Sequence, residues 1–167
     1  MPLRKFGFLS KRKTQSKKST KQIIKLLKNS KSIAVTGGTG HLGLNVIKEL
    51  LVQKFHVKAF IRHSNYPLEH NQLNWISGDL DDFEALDELS RDCMAVIHCA
   101  SAISMGEIDQ RIVYNVNVSG TKNVANACIK NECRLIHISS STAVTDPELT
   151  EIFDENRPYR TTKDFHY

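Results

Sequence analysis

Between residues 32 and 141 the spacing of apolar side chains switches repeatedly from a period near two to a period near four. "SIAVTG" (32–37) is a short apolar run containing β-branched residues, and "HVKAFIR" (56–62) alternates, with Val57, Ala59 and Ile61 on one face. "LNWISGD" (73–79) is a shorter strand candidate ending at a glycine. "CMAVIHCA" (93–100) is a near-continuous apolar strand, and "RLIHISSS" (134–141) is another. Three segments carry helical spacing. "LGLNVIKELLVQK" (42–54) places Leu42, Val46, Leu50 and Leu51 together, and "DDFEALDELSRD" (81–92) has acids in its first turn, where the helix dipole favours them. "QRIVYNVNVSGTKNVANACIKN" (110–131) is long and amphipathic despite Gly120.

This alternation of strand and helix predicts an α/β fold with a parallel sheet covered by helices on both faces. A continuous apolar strand such as 93–100 suits the doubly covered centre of such a sheet. A chain of 167 residues is compatible with one domain of ordinary size, and a hydrophobic fraction of 40% is enough for a core. No apolar run is long enough to read as a membrane span.

The net charge of +5 conceals an asymmetry. Residues 1–31 hold 11 of the 23 Lys and Arg and no acid; residues 32–167 hold 12 bases against 18 acids, a net of −6. The chain therefore reads as a basic leader (1–31) ahead of a mildly acidic domain (32–167). The pI of the whole is no sign that the domain binds nucleic acid. The leader has three readings: a basic arm for anionic lipid or nucleic acid, an organelle-targeting segment, or a solvated tail ending in a short helix near Lys21–Asn29. It lacks the long apolar stretch and cleavage site of a secretory signal.

Cys93, Cys99, Cys128 and Cys133 include no C-x-x-C pair. Buried, reduced thiols in a reducing compartment, the cytoplasm, are expected, and no metal site.

In "KSIAVTGGTGHLGLNVIKEL" (31–50), Gly37, Gly40 and Gly43 stand three residues apart between a strand and a helix. In this kind of fold the first strand-to-helix turn is where a dinucleotide pyrophosphate binds, against backbone N–H groups and the positive end of the helix dipole. The strand before and the helix after supply the context that a lone glycine triplet lacks.

"TGGTGHLG" (36–43) resembles the cofactor loop of the extended short-chain dehydrogenase/reductases, which share a domain with NAD-dependent epimerases and dehydratases. Four further segments match in order. "GDLDD" (78–82) resembles the stretch whose Asp, here Asp79, contacts the adenine, with Leu80 beside the ring. "VIHCAS" (96–101) resembles the strand whose small residues, here Cys99, Ala100 and Ser101, pass next to the cofactor. "NVNVSGTKNV" (115–124) resembles the helix bearing the family's structural and active-site Asn, here Asn117. "RLIHISSSTAV" (134–144) resembles the strand that ends in the catalytic Ser or Thr. The resemblance implies a Rossmann-type doubly wound parallel sheet in three αβα layers. It also implies a nicotinamide cofactor held by Gly37, Thr39, Gly40, His41, Leu42 and Gly43. Simpler readings exist for single positions: Asp79 as a helix cap, Asn117 as the maker of a helix-bending hydrogen bond, and His41, His98 and His137 as structural groups.

The end of the second strand bears on the nucleotide. An acid there would bind the free 2′-hydroxyl of NAD, whereas an Arg suits the 2′-phosphate of NADP. The strand ends at Arg62, followed by His63 and Ser64, and no acid occurs before Glu69. A guanidinium matches phosphate geometry, so NADP is expected over NAD.

The family's chemistry uses Ser or Thr, Tyr and Lys. Tyr acts as general acid or base on the substrate oxygen; with an ordinary pKa of about 10 it needs a Lys four residues on, on the same helix face, to favour the phenolate. Ser141 is the expected serine, with Ser140 the alternative. A literal Y-x-x-x-K occurs at Tyr159 and Lys163, but Tyr159 follows Ser141 by 18 residues and Glu155 by 4. In the family a "DE-x-x-P" turn, here Asp154–Pro158, precedes the catalytic Tyr by about a dozen residues, and 12 from Glu155 is Tyr167. Tyr167 is therefore the expected catalytic Tyr, with Tyr159 and Lys163 the alternative. On that count the partner Lys would fall at position 171, and the last part of the sheet and a substrate lobe would be missing.

The expected function is an NADP-dependent oxidoreductase acting on a small-molecule carbonyl or secondary alcohol. It looks most like the dihydroflavonol-reductase and 3β-hydroxysteroid-dehydrogenase branch. The alternatives are a nucleotide-sugar epimerase or dehydratase using NAD, and a non-catalytic NADP-binding protein. A homodimer is compatible with the pattern.

Overall fold

The computed structural model describes residues 32–63, 65–103, 109–145 and 154–160. Five strands form one parallel sheet: β1 (Ser32–Thr36), β2 (His56–Ile61), β3 (Leu73–Ser77), β4 (Ala95–His98) and β5 (Arg134–His137). Their order is β3-β2-β1-β4-β5, so the chain winds outward from β1 in both directions. The register pairs Val35 with Ala59 on one side and with Ile97 on the other. The helices are α1 (His41–Val52), α2 (Phe83–Ser90), α3 (Gln110–Tyr114) and α4 (Thr121–Lys130). A π-helical turn, Asn115–Gly120, joins α3 to α4. The expected α/β, doubly wound architecture is present.

Successive strand residues point to opposite faces, and both faces are apolar. Val35, Val57 and Ala59 pack with Ile47 and Leu51 of α1. Ala34, Phe60, Ile76 and Val96 pack on the other side with Leu86 and Leu89 of α2 and Val124, Ala127 and Cys128 of α4. Each buried Val, Ile, Leu or Phe among them contributes about 1.5–3 kcal/mol. Phe60 is buried as well as Val57, Ala59 and Ile61, so β2 is covered on both faces rather than simply alternating.

The buried face of α1 is Gly43, Ile47 and Leu51, with Val46 and Leu50 half-buried. Leu42 does not join it as its spacing suggested. It lies in the first turn at the loop end of the helix and is 47% exposed. The helices of 42–54, 81–92 and 110–131 are each a little shorter than their patterns, and the strands stop where the loops begin.

The helix-to-strand returns use left-handed residues other than glycine: Lys54 (φ 62), Asp92 (φ 58) and Glu132 (φ 51). After α4 the amide of Cys133 reaches the carbonyl of Cys128, and that of Glu132 reaches Ile129. This is the paired closure in which a C-terminal left-handed residue satisfies the last carbonyls. Lys58 on β2 donates to the carbonyls of Glu88 and Arg91 at the end of α2, a cation placed at the negative pole of that helix.

All four cysteines are free: Cys93 and Cys128 are buried, Cys99 and Cys133 half-buried. Burial pushes the Cys93 thiol up to about 11 and that of Cys128 to about 12. These are inert side chains of the core. No group of metal-ligating side chains occurs among the described residues, and no described helix is long and apolar enough to cross a membrane.

Candidate functional site

Because every strand is parallel, the residues following β1 to β5 gather at one edge of the sheet. The winding direction reverses between β1 and β4, and a crevice opens there in folds of this kind. Gly37 follows β1 at that crevice. Its φ of +67° is left-handed, and a Cβ on it would lie 2.7 Å from the amide nitrogen of Ala100, just after β4. Glycine is thus required twice over, by conformation and by the approach of the two loops. A Cβ on Gly43 would run into the carbonyl of Gly37, so this glycine sets the distance from α1 to the loop. Gly40 differs: among the described residues its Cβ would meet one heavy atom, the Gly37 oxygen, at 3.2 Å.

Gly40 is the N-cap of α1 and offers no side chain to its first amides; the first turn contains no acid. The opening turn of α1 therefore presents N–H groups and a positive dipole end, bordered by exposed Thr39, His41 and Leu42.

Four other loops reach this edge. Arg62, directly after β2, is exposed and has no hydrogen-bond or ion-pair partner among the described residues; Ser64 lies outside them. Asp79, after β3, is exposed, and its Oδ1 accepts the amide of Leu80 at 2.7 Å. Asp79 does not cap the following helix: Asp82 does, accepting from Ala85 N at 3.0 Å. Leu80 is only 7% exposed. Its side chain is committed to the core, where a Cβ on Gly120 would strike it, and its carbonyl accepts from Asn123 Nδ2 at 2.9 Å.

After β4 come half-buried Cys99 and Ala100 and exposed Ser101. Asn117, in the π-helical turn, accepts the amide of Ala102 and donates to its carbonyl, both at 2.8 Å. Its side chain holds the loop after β4 rather than bending its own helix.

His98 is 1% exposed, bonded to Thr36 Oγ1 (2.6 Å) and Thr121 Oγ1 (3.0 Å), and stacked on His137. Desolvation, with a smaller contribution from His137, pulls the ring pKa down to about 4. His98 is structural, as its pattern suggested. Thr36, Gly120, Thr121 and Asn123 stand inside segments quoted from the sequence but have no role of their own there; Gly120 stands out only as a glycine inside a helical pattern.

Past β5 the two serines separate. Ser140 Oγ accepts the Thr142 amide at 3.2 Å and lies 2.8 Å from Thr142 Oγ1, so it caps the 3₁₀ turn Ser141–Ala143. The Ser141 hydroxyl is exposed and has no hydrogen-bond partner among the described residues. Tyr159 is 78% exposed and bridges Val144 in antiparallel fashion, flanked by bonds from Thr145 N to Pro158 O and from Arg160 N to Ala143 O. Tyr159 itself thus sits in a β-bridge rather than in a helix. Asp154–Arg157 forms the expected turn before it. Lys163, Tyr167 and the leader 1–31 lie outside the described residues.

A model of the 3-beta hydroxysteroid dehydrogenase/isomerase family matches residues 34–167. A Synechocystis protein with the provisional name dihydroflavonol 4-reductase is 35% identical over 114 residues, 66% of this chain and 33% of that protein. UDP-glucose 4-epimerase 3 of Oryza sativa is 33% identical over 155 residues, 79% of this chain and 42% of that one. A solved short-chain dehydrogenase/reductase superfamily protein from Agrobacterium tumefaciens, with bound NAD, superposes with a TM-score of 0.66 at 27% identity. That match covers 77% of this chain and 39% of the other. The chain thus spans about a third to two fifths of the length of these relatives.

Proposed function

The chain belongs to the 3-beta hydroxysteroid dehydrogenase/isomerase family, and from that premise we propose that it holds NADP at the glycine loop and serves an oxidoreductase acting on a small carbonyl compound or secondary alcohol. The observation that carries this reading is the start of α1. A helix with a glycine cap, no acid in its first turn and bare amides faces the crevice between β1 and β4. Those amides suit a pyrophosphate, and Gly40 lets it come close to the backbone. Asp79 and the backbone of Leu80 would border the adenine, with Cys99, Ala100 and Ser101 along the remainder and Asn117 behind them.

Arg62 supports NADP over NAD. It is exposed at the strand end where the ribose 2′ group would lie, and its charge has no partner among the described residues. A guanidinium there pairs with a phosphate in two-point geometry.

The bound nicotinamide would supply or accept the hydride. The chain's own groups would handle the oxygen. The Ser141 hydroxyl, without a partner among the described residues, donates a hydrogen bond to the substrate oxygen, and a Tyr phenol exchanges a proton with it. Tyr167 is the proposed Tyr; Tyr159, on its extended segment, is the less suited candidate. Free thiols accord with a reducing compartment such as the cytoplasm.

A second reading, a nucleotide-sugar epimerase using NAD, draws support from the rice epimerase and the NAD-bound neighbour. Calorimetric titration with NADP and NAD separates the two. NADP binding tighter than NAD by at least about tenfold is expected. Preference for NAD favours the epimerase reading, and binding of neither overturns both.

A further inference from the structure

Three side chains behind the crevice form a chain of hydrogen bonds whose direction can be worked out from the heavy atoms. Thr121 Oγ1 lies 2.8 Å from the carbonyl oxygen of Asn117. A carbonyl only accepts, so the Thr121 hydroxyl hydrogen is spent there. The same oxygen lies 3.0 Å from His98 Nε2 and must accept, which puts the ring proton on Nε2. Nδ1 is then a bare acceptor, 2.6 Å from Thr36 Oγ1, so Thr36 donates to it. The Thr36 oxygen is left to accept the amide of Ala100, at 3.4 Å.

We propose that His98 is a positioning residue for the loop Cys99–Ala102. Kept neutral with its proton on Nε2, it ties Thr36 to Thr121 and so fixes the loop at two points. Ala100 is held through Thr36. Ala102 is held by Asn117, whose carbonyl ends the relay and whose side chain grips the loop. Between these points Ser101 stands exposed toward the crevice. The role of the loop in holding a nucleotide rests on the function proposed above; the relay itself does not.

The alternatives each break a bond. With the proton on Nδ1, Thr36 would accept two N–H groups and have no acceptor for its own hydrogen, while Thr121 would have to leave Asn117 to serve Nε2. A doubly protonated ring imposes the same burden on Thr36. Burial and the stacked His137, 5.5 Å away, also disfavour the charged ring.

The test uses the full chain labelled with ¹⁵N-histidine. At pH 7 the His98 ring is expected to show a protonated Nε2 and a bare Nδ1; an Nδ1–H ring or an imidazolium overturns the proposal. Amide exchange at Ala102 supplies the second readout. Thr121→Val should speed it about fivefold or more relative to global unfolding. His98→Gln, which keeps a donor toward Thr121, should protect Ala102 better than His98→Asn, which keeps only an acceptor toward Thr36. Equal loss in both, in step with global stability, overturns the proposal. Should the variants fail to fold, the wild-type ring signature decides. NADP and NAD titrations are separate: a wild-type chain with the predicted ring signature that binds neither nucleotide refutes the functional reading and upholds the relay.

Discussion

Asn117 and Ala102 face each other as two amides joined by a reciprocal pair of hydrogen bonds, each 2.8 Å long. Asn117→Ala leaves both backbone groups of Ala102 without a partner. A loss of about 1–3 kcal/mol is expected in urea unfolding, together with weaker nucleotide binding. Asn117→Asp keeps the acceptor but not the donor and should fall between the two.

The three spaced glycines should not be equivalent. Gly43→Ala drives a Cβ into the Gly37 carbonyl, and Gly37→Ala meets the backbone of Ala100 while forcing a left-handed φ on alanine. Each is expected to cost about 2 kcal/mol or more in a thermal melt. Gly40→Ala should cost less stability and more affinity, because its Cβ points largely at open space. Similar melts for all three would sink this division of labour.

Arg62→Asp is expected to shift preference from NADP toward NAD, by at least about tenfold in the affinity ratio. Unchanged NADP affinity would remove Arg62 from the site.

Acid should weaken the fold in two successive windows. Buried His98 is neutral, with its pKa lowered to about 4 by desolvation and then by His137. The unfolded chain takes up that proton at about pH 6.5. Stability is therefore lost as pH falls from about 6.5 to 4 and levels off below. Asp87 of α2 follows. Hydrogen bonds from Lys130, then Asn131 and Arg91, hold its carboxyl at about 2. Its contribution is full above the ordinary carboxylate range and disappears as pH falls from 3.8 toward 2. Denaturant unfolding across pH should show the first step vanish in His98→Gln and the second in Asp87→Asn.

Lys54 and Glu132 occupy left-handed positions where glycine carries no steric cost. Lys54→Gly and Glu132→Gly are each expected to stabilise by about 0.5–1 kcal/mol, seen as a raised Tm. A lowered Tm would mean that the Lys54 or Glu132 side chain makes up for the strain.

Most of the fold was legible in the sequence because a parallel sheet buried on both faces leaves apolar strands such as Ala95–His98 with little disguise. Asp82 as the cap of α2 was less plain, since Asp79, Asp81 and Asp82 stand almost side by side and only backbone geometry chooses among them. Leu42 was misplaced because helical spacing ignores where the sheet ends. The glycine loop was legible because its glycines answer local backbone needs. The relay through Thr36, His98 and Thr121 was not, because it joins three elements across 85 residues of sequence and no local pattern encodes it. The contrast between Ser140 and Ser141 likewise depends on one capping bond.

The π-helical turn Asn115–Gly120 has a consequence for angular phase. A wider turn fits in more residues than an α-turn of the same height, so the side chains of α4 are rotated about the axis relative to those of α3. Asn117, Gly120, Thr121 and Val124, spaced i, i+3, i+4 and i+7, share one face and meet the loop after β4, Leu80, His98 and the core. α3, ahead of the turn, has no buried residue and is set at a different phase. Deleting a single residue from this turn would swing α3 around the axis relative to that face.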